Sequence, residues 1–240
     1  MTEQTSFIKV IKDGLPICFG YLSVAFAFGI FSYESSLSIL QAVLISMTNV
    51  TSAGQLAAVP IITSGGSLFE LAIAQFVINL RYALMSVSLS QKLGKTVSMA
   101  DRFIISFMNT DEVFAVSSAN RGYVGRKYMY GLILTPFLGW SIGTFFGAGA
   151  GNILPAIITS ALGIAIYAMF VAIVVPVASE NKPSLYCVII AIILSCIFKI
   201  TPVLNKLQGG FVIIICAVVA SIIMAMVSPI EIKEEGAKDE

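Results

Sequence analysis

The sequence contains no histidine. Imidazole-based metal sites and imidazole-activated nucleophiles are therefore excluded, and any proton relay must use Asp, Glu, Tyr or water. Charge is scarce, with 14 Lys+Arg against 13 Asp+Glu and a net charge of +1. That leaves no basic field for nucleic acid. The four cysteines, Cys18, Cys187, Cys196 and Cys216, all lie in apolar stretches without ligand spacing. They read as small core residues rather than a disulfide or metal framework. Aromatic-rich alternation at a ten-residue repeat is missing, which argues against an outer-membrane barrel. No P-loop is present, so the chain carries no ATPase of its own. Neither a cofactor nor a metal is expected.

What the sequence has in abundance is apolar length: 58% hydrophobic residues and a mean hydropathy of +0.94. These place most of the chain in lipid and predict an all-α polytopic membrane protein of 7–8 transmembrane segments. Residues 14–33 are too long for a signal-peptide core and form an uncleaved first span. Residues 37–63 are apolar but interrupted at 48–55, with Pro60 beyond. Irregular backbone survives at membrane depth only inside protein or beside water, so this stretch is a broken helix or re-entrant hairpin. Residues 68–90 form the next span, 91–102 a polar loop and 121–127 a basic loop. Residues 103–120 begin as a membrane run but hold Asn109-Thr110-Asp111-Glu112 in their middle. The remaining spans are 128–150, 153–178, 185–198 and 209–227. Residues 1–227 read as one integral-membrane transporter domain and 228–240 as a charged, flexible tail.

Pro16 with Gly20-Tyr21 resembles Pro136 with Gly139-Trp140, and three spans between their starting points would make an inverted-topology repeat. Lys/Arg bias leaves two orientations. Eight crossings put the N-terminus inside, whereas a dip at 103–120 gathers Lys92 to Lys127 on one side and favours an external N-terminus.

Three constellations carry chemistry. In the first, Asn49, Thr51, Ser52 and Gln55 supply hydroxyls and amides, and Gly54 lets a ligand approach the backbone. A half-helix starting there would aim free N–H groups at a carboxylate. Close helix packing through small residues is the plainer account of the same run. The second is Arg81, near the centre of its span, with Gln75, Asn79 and Tyr82. A guanidinium at that depth costs at least ~2.5–3.5 kcal/mol and cannot shed its proton, so an acid or a water-filled cavity must answer it. Structural pairing and ligand contact both fit. The third is Asp111-Glu112, the obvious partners for Arg81 or for a substrate ammonium, and candidates for proton coupling unless they lie solvated at the surface. Met85, Phe107 and Met108 are candidates for an apolar pocket. Glu34 and Glu70 read as interfacial, and Trp140 with Tyr123, Tyr128 and Tyr130 as an aromatic belt.

The stretches Thr51-Ser52-Ala53-Gly54-Gln55-Leu56-Ala57-Ala58, Asn79-Leu80-Arg81-Tyr82-Ala83-Leu84-Met85-Ser86 and Thr110-Asp111-Glu112-Val113-Phe114-Ala115 occur in that order. In this the chain resembles the AzlC family, the large subunit of bacterial branched-chain amino-acid exporters. The resemblance implies secondary-active export of aliphatic amino acids across the bacterial inner membrane, with a small hydrophobic AzlD-type subunit as partner. It departs at Tyr82, where many members have histidine, and in the lack of an aromatic-Ala/Ser-Gly opening before Gly54. The expected substrate contacts are Asn49, Ser52, Gly54, Gln55, Asn79, Arg81, Asp111 and Glu112. The rival readings are a passive channel and a structural subunit whose Arg–acid pair only locks helices.

Overall fold

A computed structural model describes residues 7–120, 122–151, 153–155, 157–158, 161, 171, 174–176, 178–179, 181–202, 204, 207 and 209–228. The expected tail and most of the expected span 153–178 lie outside the described residues. Every regular element among those described is a helix: α1 (Phe7–Glu34), α2 (Ile39–Thr48), α3 (Ser52–Thr63), α4 (Leu68–Lys92), α5 (Met99–Phe107), α6 (Asp111–Ala119), α7 (Arg126–Gly151), α8 (Lys182–Ile200) and α9 (Gly209–Val227). Five of these, α1, α4, α7, α8 and α9, are long and apolar enough to cross a membrane.

The chain forms two compact units, Met1–Met169 and Phe170–Glu240. In the first, α1 and α7 run parallel in continuous register. A Cβ on Gly139 would meet the Cys18 carbonyl oxygen at 2.6 Å, and one on Gly143 the Leu22 carbonyl at 2.5 Å. Gly147 would collide with the Phe26 carbonyl and Gly131 with Val10, while Gly151 abuts the Tyr33 ring. Small residues every fourth position on α7 let the backbones touch, the packing that works in lipid, where burial of apolar surface drives nothing. Because both chains advance together, Pro16–Tyr21 and Pro136–Trp140 are not related by the expected inverted topology.

The two interrupted stretches are hairpins. Ser38 caps α2, and its side chain and the Gln41 side chain each satisfy the other's backbone. The helix ends at Thr48, Asn49-Val50-Thr51 turn the chain, and α3 starts at Ser52. The break is thus narrower than 48–55. A left-handed Gly65 (φ 73°) then folds the chain into α4, with Gly66 against Ile61 and Glu70. Likewise Ser98 caps α5 with Asp101, Met108-Asn109-Thr110 turn the chain, and Thr110 caps α6. The stretch 103–120 is therefore the end of one nine-residue helix and the whole of another rather than one span. The expected loop 91–102 is also shorter, since α4 runs to Lys92 and α5 opens at Met99.

Side-chain contacts fix where each hairpin enters. At one end, Tyr128 at the start of α7 donates to Asp13 of α1 (2.6 Å). Arg126 pairs with Asp101 of α5 (3.0 Å), Val124 bridges Leu93 after α4, and Lys92 donates to the Ser118 carbonyl of α6. So α5 leaves this Asp13 end and α6 returns to it. The other end holds Tyr33 beside Gly151, the entry to α2 and, one length of α4 away from Lys92, the exit of α3. The α2–α3 hairpin thus enters and leaves at the Tyr33 end. Half-helices of 9 to 12 residues reach about 13–18 Å, half of a ~30 Å hydrocarbon core. The two tips therefore meet at the middle of the unit.

A buried core of Val10, Leu89, Ile105, Val113, Met129 and Leu132, among others, joins α1, α4, α5, α6 and α7. Trp140 is buried and packs edge-on against Tyr21 (5.0 Å, 70°), and Tyr128 is buried too, so neither belongs to an aromatic belt; Tyr123 alone of the expected tyrosines is largely exposed. Glu70 sits in the first turn of α4 as expected, but its side chain is 1% exposed rather than solvated. Of the cysteines, Cys216 is buried and Cys196 exposed. In the second unit α8 and α9 pack on each other, with large apolar side chains exposed on both.

Candidate functional site

The hairpin tips converge on the middle of α4, where Asn79, Arg81 and Tyr82 lie. Between them is a cavity of about 230 Å³. It is lined by residues 48–51 of the first tip, Asn79 and Tyr82 of α4, and Ser106, Phe107 and Asn109 of the second.

A ladder of amides holds the first tip to α4. Asn49 Nδ2 donates to Gln75 Oε1 (2.8 Å), Asn79 Nδ2 donates to the same oxygen (3.3 Å), and Gln75 Nε2 donates to the Gly54 carbonyl (2.9 Å). The Thr51 hydroxyl donates to the Tyr82 phenol (3.3 Å). Gly54 is required by this packing, since a Cβ would meet Gln75 Oε1 and Thr51 Cγ2 at 2.5 Å. The approach expected to be open to a ligand is thus filled by the protein's own side chains. Gln55 is fully buried behind the tip, donating to Ser46 (2.6 Å), whose hydroxyl meets that of Thr144 on α7 (2.6 Å). Ser52 opens α3 but does not line the cavity.

Arg81 finds its acid. Its Nη2 lies 2.7 Å from Asp111 Oδ2, with the two side chains 54% and 44% exposed. The same nitrogen donates to the Tyr82 phenol (3.1 Å), and the guanidinium sits 4.8 Å from that ring. Asp111 also lies in the first turn of α6, where the helix dipole favours negative charge. Glu112 takes a different partner, accepting from Tyr21 of α1. The adjacent acids therefore answer different helices. Of the residues expected to form an apolar pocket, Phe107 lines the cavity, Met108 packs on the core, and Met85 does neither.

Four lining residues were not singled out from the sequence as site residues: Thr48, Val50, Ser106 and Asn109. Asn109 was visible as a polar residue in an apolar run, but only the hairpin brings it opposite Asn49. Also unanticipated is Asp101 at the Asp13 end, outside the five long helices. Its carboxyl is held below the usual carboxylate range, first by the Ser98 hydroxyl, then by Tyr130 (2.8 Å) and Arg126. Among the described residues no group of acids and cysteines is arranged to hold a metal.

The AzlC family model ("AzlC protein") matches residues 16–154, more than half of the 240. The chain belongs to the AzlC family. The matched region runs from within α1 to just past α7 and so takes in both hairpins of this chain together with Arg81 and Asp111. The chain is 29% identical over 198 residues to the "Inner membrane protein YgaZ" of Escherichia coli (strain K12), covering 79% of this chain and 80% of that protein. It is 30% identical over 178 residues to an "Uncharacterized membrane protein" of Archaeoglobus fulgidus, covering 73% and 78%. No solved structure matches. Family, relatives and the long apolar helices agree on a multi-pass membrane protein.

Proposed function

We propose that this AzlC-family protein is a secondary-active exporter of branched-chain amino acids in a bacterial inner membrane, working with a small hydrophobic AzlD-type subunit. The single observation that carries the reading is the half-exposed Arg81–Asp111 pair at a hairpin tip, beside a cavity at the centre of the unit. A zwitterion complements such a pair. Its carboxylate replaces Asp111 on Arg81 while its ammonium faces the freed carboxylate, so no net charge is stranded in a low-dielectric site. Asn49 and Asn79 are neutral contacts, Phe107 offers apolar surface to an aliphatic side chain, and Ser52, Gly54 and Gln55 hold the first tip in position. Asp111 and Glu112 remain the groups for proton coupling.

The chain trace supports a topology of a specific kind. Helices α1, α4, α7, α8 and α9 cross, the two hairpins dip to mid-membrane from opposite faces, and residues 1–227 act as one transporter domain with 228–240 as its tail. Helix plus hairpin then occurs twice with opposite sense, as α1–α3 and α4–α6, which is an inverted repeat on a shorter unit than Pro16 and Pro136 suggested. Lys12, Lys92, Lys95, Arg102, Arg126 and Lys127 all gather at the Asp13 end, whereas turns 35–38 and 64–67 hold no Lys or Arg. Because 37–63 turns back as well, the N-terminus shares the side of Lys92 to Lys127. Positive-inside puts that end in the cytoplasm, rather than leaving the N-terminus external as a dip at 103–120 alone implied.

The test is efflux of radiolabelled leucine from proteoliposomes holding both subunits. Arg81→Ala and Asp111→Asn should each abolish it in folded protein. Flux far above carrier turnover would make the protein a channel. Full efflux with Arg81 and Asp111 exchanged would leave the pair a structural lock.

A further inference from the structure

The cavity between the tips lacks any charged lining side chain, and Arg81, which donates to the lining Tyr82, is neutralised by Asp111. Helix α2 ends at Thr48 and α5 at Phe107, and both residues border the void. Two half-helices thus bring their C-terminal, partially negative ends to the same space from opposite faces of the unit. Of the two helix starts at the tips, the N-cap of α3, Thr51, also reaches the wall, whereas Asp111 of α6 does not. Into this setting come two amide oxygens with no hydrogen-bond partner, Asn79 Oδ1 and Asn109 Oδ1. Asn109 is 3% exposed, and its amide nitrogen is already turned toward Ser86 (3.4 Å). A buried acceptor without a donor costs free energy that its occupant must return.

We propose that this cavity is a neutral-oxygen site for a monovalent cation, with Asn79 Oδ1 and Asn109 Oδ1 as ligands and the ends of α2 and α5 supplying the field. No carboxylate lines the wall, so the site suits a singly charged occupant rather than a divalent metal. That chemistry has two sources, an alkali ion such as sodium or the ammonium group of the transported amino acid. The ammonium source rests on the function proposed above, with the cavity holding the ammonium before Arg81 releases Asp111 to it, whereas the sodium source does not.

The experiment is thermal unfolding of the purified full-length protein in detergent, without substrate, titrated with NaCl against choline chloride at constant ionic strength. A second titration uses leucine in choline chloride. Stabilisation specific to sodium identifies an alkali site; stabilisation by leucine alone identifies the ammonium. In either case Asn109→Leu and Asn79→Leu should raise the half-saturating concentration roughly tenfold or more, the scale of losing one charge-assisted contact. Asn109→Asp, which keeps an oxygen and adds charge, should lower it and guards against a variant that merely misfolds. Identical unfolding in all salts and with leucine, or a response unchanged in the folded asparagine variants, overturns the site. The sodium arm reads the cavity even if leucine proves not to be a substrate.

Discussion

Arg81 is the residue on which the chemistry turns, and its cost is now assigned. Asp111 neutralises it at 2.7 Å, and the Tyr82 phenol takes a further N–H. Truncating one partner of such a pair leaves the other uncompensated at membrane depth, a loss of about 3–5 kcal/mol where burial is complete and less for this half-exposed pair. We expect Arg81→Lys to retain the fold but lose most efflux, because an ammonium cannot take up a substrate carboxylate with the planar, bidentate geometry of a guanidinium. Leucine efflux set against size-exclusion behaviour checks this. Asp101 makes a separate prediction. Its folded pKa is depressed, so the stability it contributes is present above the unfolded value of about 3.9 and lost as pH falls through the lower folded value. The stability gap between wild type and Asp101→Asn should hold near neutral pH and close only below about pH 4, measured by unfolding in detergent. Arg81 and the acids were legible because charge is conspicuous in an apolar chain. Which acid Arg81 would choose was not, since Asp111 and Glu112 are neighbours in sequence and only the helical turn sends one to α4 and the other to α1.

Among the elements, the parallel contact of α1 and α7 is the frame against which the hairpins are set. Gly143 faces the Leu22 carbonyl at 2.5 Å, whereas a Cβ on Gly149 would meet nothing within 4 Å. Gly143→Leu should therefore destabilise the protein by about 1–3 kcal/mol or more, and Gly149→Ala should be nearly neutral, in a thermal-unfolding comparison. The glycine richness of this helix was plain from the sequence, but not which glycines face α1. Spacing of four selects Gly139, Gly143 and Gly147, and it takes the partner's register to show it. The hairpin breaks were half legible. Polar residues at 48–55 and 109–112 marked both, yet polarity does not say whether a chain crosses or returns. The returning course follows from contacts such as Arg126 with Asp101 and Lys92 with Ser118, which join residues far apart in sequence.

For the whole molecule, the proposed orientation makes a labelling prediction. In a cysteine-free background, Lys95→Cys should react with a membrane-impermeant maleimide only after cells are opened, and Ser36→Cys in intact cells. Labelling of both from one side would refute the topology of two re-entrant hairpins. Composition and apolar length alone determined that this is a helical membrane protein, because no soluble core accommodates a mean hydropathy of +0.94. Motif order alone pointed to the family, and isolated charge alone pointed to Arg81 and its acids. The tertiary structure decided the rest: that α1 and α7 run parallel, that both interrupted stretches turn back, and that their tips enclose one cavity. Hydropathy measures how much a segment prefers lipid. It carries no information on direction, and direction is set by side-chain pairs that form only when the ends of distant helices meet.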